Sequence, residues 1–140
     1  MNTTATITWL KIAAGATFAS GLLFAASVWA PAAWPTAAFF DLAFPPLDGA
    51  PALQGEGFAL LRGISGGVLV GWSVMLWMIA TRLYPTDPRL GGSIILTGIS
   101  TWFVIDSTAS IAAGAPWNAV YNLIFLALFV VPVLLGRRAV

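Results

Sequence analysis

Of the 140 residues, 59% are hydrophobic and only 8% are charged, against roughly 25% charged in a soluble domain, so this chain cannot cover a water-facing surface with polar groups. The net charge of +1 gives no basis for a nucleic-acid partner. The chain has no cysteine and no histidine, which removes disulfides, thiol redox chemistry, Cys or His haem ligation, the usual zinc, copper and non-haem iron sites, and the commonest general base.

The apolar residues fall into long runs. A helix that crosses a bilayer needs about 20 mostly apolar residues at roughly 1.5 Å each. Four segments qualify: Ile7 to Ala30, Gly57 to Thr81, Leu90 to Ala113 and Trp117 to Leu135. The expected fold is therefore all-α, a polytopic membrane protein with a four-transmembrane-helix bundle in one domain spanning residues 1–140. The first segment also has a competing reading as a cleaved signal peptide, with Ala25-Ala26-Ser27 as the small-residue site. Its uncharged run is longer than the usual stretch of about 7 to 15 residues, and one basic residue precedes it, which favours a span.

The connection from residue 31 to residue 56 is long and holds five of the nine prolines. It is also aromatic and apolar, with Trp34, Phe39, Phe40, Leu42, Phe44 and Leu47, and such a loop does not float in water. Thr36 to Phe44 is expected to form a short helix along the membrane surface or a lid over the bundle, packed onto its own helices. In the next connection, Asp87 is suited to cap the third helix, with Pro88 at its first position. Gly114 and Pro116 end one helix and open the next. Pro132 is expected to kink the fourth span.

Lysine and arginine near helix ends favour the cytoplasm. One side of this topology carries Lys11, Arg82, Arg89, Arg137 and Arg138, the other only Arg62. The expected location is a bacterial inner membrane, with both termini in the cytoplasm and the long loop in the periplasm. Trp9 and Trp77 then lie toward one interface, and Trp29, Trp34 and Trp117 toward the other.

Asp106 lies within the third apolar segment. A buried acid there costs about 2.5–3.5 kcal/mol on insertion scales and calls for a partner. By depth, Asp106 stands about 24 Å and Arg62 about 30 Å above the cytoplasmic helix ends, on segments joined as a hairpin. An Arg62–Asp106 ion pair is expected. Ser110 lies one turn above Asp106, and Asn118 and Asn122 share a face of the fourth helix. Arg62, Asp106, Ser110, Asn118 and Asn122 form a candidate intramembrane polar site, either binding or structural. Structural fastening of three helices is the preferred reading. Gly63, Gly67 and Gly71 recur every four residues, as do Ala13, Thr17, Gly21 and Ala25, and such ridges bring helices close together.

The stretch Glu56 to Leu76, with Arg62 entering a span ahead of Gly66, Gly67 and Gly71, resembles small four-helix bacterial membrane proteins of the DoxX-like and related uncharacterised families. The run from Arg82 through Trp117-Asn118 is similar to short bacterial membrane proteins without an assigned function. The resemblance implies a four-helix bundle and brings no catalytic residues. Small multidrug exporters match in size, but their acidic residue in the first helix has no counterpart here.

Three functions follow as expectations. The preferred one is an accessory or scaffold subunit of a membrane complex. The second is a small-solute, ion or proton carrier acting as a homo-oligomer through Arg62 and Asp106. The third is a lipid or small-amphiphile binding protein. The candidate acids Asp41, Asp48, Glu56, Asp87 and Asp106 are spread along the chain, so no enzyme, cofactor or metal is expected. The expected partners are the lipid bilayer and other membrane subunits or further copies of the chain, with no nucleic acid.

Overall fold

The computed structural model describes residues 1–44 and 55–137. Among these residues five α-helices follow in order: α1 (Thr3–Ala26), α2 (Trp34–Ala43), α3 (Glu56–Met78), α4 (Pro88–Ala112) and α5 (Pro116–Arg137). No strand occurs among the described residues. Four of the helices are long and apolar enough to cross a membrane: α1, α3 with its continuation to Leu83, α4 and α5. Large apolar side chains such as Ile12, Leu60, Val68, Met75, Ile105 and Ile124 point outward and are exposed, as they would be toward lipid. Four helices of this length and hydropathy suggest a multi-pass membrane protein.

The helix ends have local causes. Asn2 caps α1, its side-chain oxygen accepting from the Ala5 amide at 2.8 Å, so the helix starts four residues earlier than hydropathy alone suggests. Asp87 does the same for α4, accepting from the Leu90 amide at 2.9 Å, and Pro88 takes the first helical position. Gly114 closes α4 with φ +80°, a conformation in which glycine carries no Cβ penalty. Pro116 then opens α5.

The last turn of the α3 arm is unusual. Residues Ile79–Leu83 form a π-helical turn, and the Tyr84 amide bonds back to the Ile79 carbonyl at 2.8 Å. The wider turn inserts one extra residue, and both Ala80 and Tyr84 are buried there.

Helix α2 lies across the end of the bundle where α1 finishes and α3 begins. Phe39 and Phe40 meet Phe24 edge-on at 5.6 and 6.0 Å. Phe40 meets Phe58 of α3 at 5.0 Å, and Phe39 meets Tyr121 of α5 at 6.5 Å. Edge-to-face pairs of this kind contribute about 0.5–1.5 kcal/mol each beyond burial. The segment thus packs as a lid that ties three spans together. Leu47 and Asp48, which belong to the same connection, lie outside the described residues, as does Arg138.

Two close pairs make the bundle. Helix α1 packs mainly on α3, and α4 mainly on α5, while α1 also touches α5. The α1–α3 contact is backbone against backbone. A Cβ on Gly21 would stand 2.8 Å from the Val70 nitrogen, and one on Gly66 would stand 2.6 Å from the Gly21 carbonyl. Ala13 and Thr17 are buried on the same side of α1. The expected ridge on α3 is therefore corrected. Gly66 makes the contact, Gly63 only faces a Val28 methyl at 3.4 Å, and Gly67 and Gly71 face open space. A helix has one face per partner, and α1 takes the face that carries Gly66.

Although α3 and α4 are consecutive long helices, their backbones come close mainly at the π-helical turn. Above it Trp72 and Trp102 stand 5.8 Å apart, and Phe125 of α5 completes the cluster at 6.3 and 5.2 Å from them. These rings hold the two backbones apart. Leu10, Leu76, Ile95, Ile99, Phe129 and Val133 form the buried core below.

Candidate functional site

The polar residues of the lid-side half assemble on α4 and α5. Asp106 lies six residues before the end of α4 and Asn122 six residues past Pro116, so both stand about 9 Å inside the lid end. Asn118 Nδ2 donates to Asp106 Oδ2 at 3.1 Å and to Ser110 Oγ at 2.7 Å. One turn deeper, Asn122 Nδ2 donates to the same carboxylate oxygen at 2.5 Å and to Ser107 Oγ at 3.1 Å. Each amide thus spends one hydrogen on the carboxylate and one on a serine.

This pattern follows from helix periodicity. Asp106, Ser107 and Ser110 fall on one face of α4, and Asn118 and Asn122 on one face of α5. An antiparallel pair brings the two faces together as a ladder of two rungs. Asn122 and Ser107 are buried at 6% and 7% exposure, while Asp106, Asn118 and Ser110 are half-buried. Ser107 is the member that sequence reasoning passed over. Its spacing of three from Ser110 already placed it on the polar face.

Arg62 does not join this site. The expected Arg62–Asp106 ion pair is not formed. The Arg62 guanidinium lies over the Phe58 ring of its own helix at 5.1 Å. Its Nε is buried without a hydrogen-bond partner. Two causes separate the residues. The α3 and α4 backbones are held apart in this half, and a long helical side chain leans toward the N-terminus of its own helix. Here that direction leads toward the lid end of the bundle, where α3 begins.

Chemically, the ladder can fasten α4 to α5. Interhelical hydrogen bonds in membranes contribute about 0.6 kcal/mol each on average. Both amides meet at Oδ2, so Oδ1 receives no donor from the described residues. The carboxylate therefore keeps one oxygen able to accept a proton or a cation. No group of three or more acidic side chains gathers among the described residues. No protein-family profile matches the chain, and comparison with curated proteins and with solved structures also yields no match.

Proposed function

We propose that this protein is an accessory or scaffold subunit of a larger membrane assembly, placed in a bacterial inner membrane with both termini in the cytoplasm. The observation that carries this reading is the outer face of α3. Gly67 and Gly71 are exposed and have nothing near the position of a Cβ. Glycine within a helix costs about 0.5–1 kcal/mol relative to alanine, and the packing of this chain on itself gives no return for these two. A partner helix that approaches closely along α3 does. The DoxX-like kinship belongs to the same proposal and rests on the pattern of Arg62, Gly66, Gly67 and Gly71 alone.

Gentle detergent extraction through a C-terminal tag, followed by mass spectrometry of co-purifying proteins, tests this. A stoichiometric foreign subunit is expected, and Gly67→Leu should release it while leaving the fold intact. Recovery of the chain alone as a discrete homo-oligomer overturns the reading.

A second reading has its own observation. The free Oδ1 of Asp106 suits a small proton- or cation-linked carrier working as a homo-oligomer. Proton flux into vesicles holding the purified chain, lost in Asp106→Asn, is its test.

A further inference from the structure

The end of the bundle opposite the lid holds a cleft of about 600 Å³ that neither reading uses. Its walls include Thr3 at the start of α1, Tyr84, Arg89, Ser93 and Arg137. The one acid in the wall, Asp87, turns its carboxylate to the Leu90 amide. Neither Arg89 nor Arg137 forms an ion pair among the described residues, and both are exposed. Two cations therefore border one cavity, against a single carboxylate that is engaged in capping α4.

Backbone polarity adds to this. Helices α1 and α4 both begin at this end. Their first amides lack partners within the helix beyond those supplied by Asn2 and Asp87, and helix N-termini attract anions.

Tyr84 is the independent observation. It is only 2% exposed, and its hydroxyl makes no hydrogen bond among the described residues. The ring is buried, and the hydroxyl is the polar atom that this side chain brings to the cleft. The ring is wedged among glycines. A Cβ on Gly91 would stand 3.1 Å from the Tyr84 Cα, and one on Gly136 would stand 2.7 Å from its hydroxyl oxygen. Gly136 is itself part of the cleft wall, so the hydroxyl is held at the cavity. The π-helical turn before Tyr84 sets the ring in this position, and π-bulges are frequent at functional sites.

We propose that this cleft binds a phosphate group, with Arg89 and Arg137 on its oxygens and Tyr84 donating its O–H to a further one. Arginine pairs well with phosphate because its planar donors match the oxygens two at a time. The phosphate belongs either to an anionic phospholipid headgroup or to a soluble phosphate compound.

Binding is measured on the purified, delipidated full chain in an uncharged detergent. Native mass spectrometry follows dioleoylphosphatidylglycerol and dioleoylphosphatidylcholine, and calorimetry follows inorganic phosphate. Saturable binding of one phosphatidylglycerol per chain, about tenfold tighter than phosphatidylcholine, identifies the lipid source. Saturable inorganic phosphate binding identifies the soluble source. In either case Arg89→Gln with Arg137→Gln should weaken binding by about tenfold or more, and Tyr84→Phe by about fivefold. The phenylalanine variant keeps the packing of the ring and so decides the matter even where the double arginine variant fails to fold. Absence of saturable binding by either phosphatidylglycerol or phosphate overturns the proposal. Affinities unchanged by the substitutions, or equal for the two lipids with no phosphate binding, overturn it as well.

Discussion

Asp106 and Asn122 should be energetically coupled, and Arg62 and Asp106 should not. Asp106→Ala removes the acceptor of two hydrogen bonds, and Asn122→Ala removes the donor of two, the bond between them being common to both. Only the shared bond appears as coupling in a double-mutant cycle. Bonds of this kind in membranes average about 0.6 kcal/mol and reach about 1.7 kcal/mol. The carboxylate acceptor argues for the upper part of that range. Arg62, stacked on Phe58, shares no partner with Asp106, so the effects of Arg62→Ala and Asp106→Ala should add within about 0.5 kcal/mol. Reversible unfolding in mixed micelles or steric trapping in bicelles reads both cycles. The ladder account is wrong if Asp106 and Asn122 add while Arg62 and Asp106 couple by 1 kcal/mol or so.

Three further outcomes are expected. Gly66→Ala should destabilise the bundle by about 1–3 kcal/mol through overpacking, because its Cβ would meet the Gly21 carbonyl at 2.6 Å; Gly67→Ala, with open space around it, should be neutral or stabilise by up to about 1 kcal/mol, and the same unfolding assay separates them. Phe40→Ala removes ring contacts to both Phe24 and Phe58 and should speed amide hydrogen exchange in residues 34–43 while protection around Ile95 and Phe129 stays the same. The absence of cysteine permits single-cysteine mapping: Thr86→Cys and Ala113→Cys, both exposed and at opposite ends of α4, should react with a membrane-impermeant maleimide from opposite sides, Ala113→Cys from the periplasm.

Hydropathy made the four long helices legible because each run of about 20 apolar residues has one physical explanation. Asp87, Pro88, Gly114 and Pro116 marked their boundaries through capping chemistry that acts within a few residues. The Asp106 ladder was half legible. Helical spacing placed Ser110 over Asp106 and Asn118 over Asn122, but the partner of the acid depended on which helices are neighbours. A short connection between α3 and α4 suggested that they pack along their length. It constrains only the two helix ends at the turn, and Trp72 and Trp102 decide the rest. The glycines misled for a related reason. Gly63, Gly67 and Gly71 define one face of α3 and Gly66 another, and a sequence contains both without saying which one α1 will meet. The π-helical turn had no signal at all, since residues 79–83 contain neither glycine nor proline.

The two helix pairs are held by different forces, and this bears on what the molecule can do. Between α1 and α3 there is no side-chain hydrogen bond among the described residues. Thr17 and Ser73 turn their hydroxyls back to carbonyls of their own helices at 2.9 and 2.6 Å. What holds this pair is mainly close van der Waals contact, which fails steeply once backbones separate by half an ångström or more, with Lys11 Nζ over the Trp77 ring at 5.2 Å near the end opposite the lid. The α4–α5 pair is joined by polar rungs near one end. The lid adds Phe39 and Phe40 across both pairs at that end, and Tyr84 packs among α4 and α5 glycines at the other. Contacts at both ends leave the outward Gly67 and Gly71 of α3 as one smooth surface on the exterior, beside the single exposed glycines Gly15 of α1 and Gly98 of α4. A subunit that must present one helix face to a neighbour needs that arrangement, whereas a carrier that alternates its access needs one end free to open.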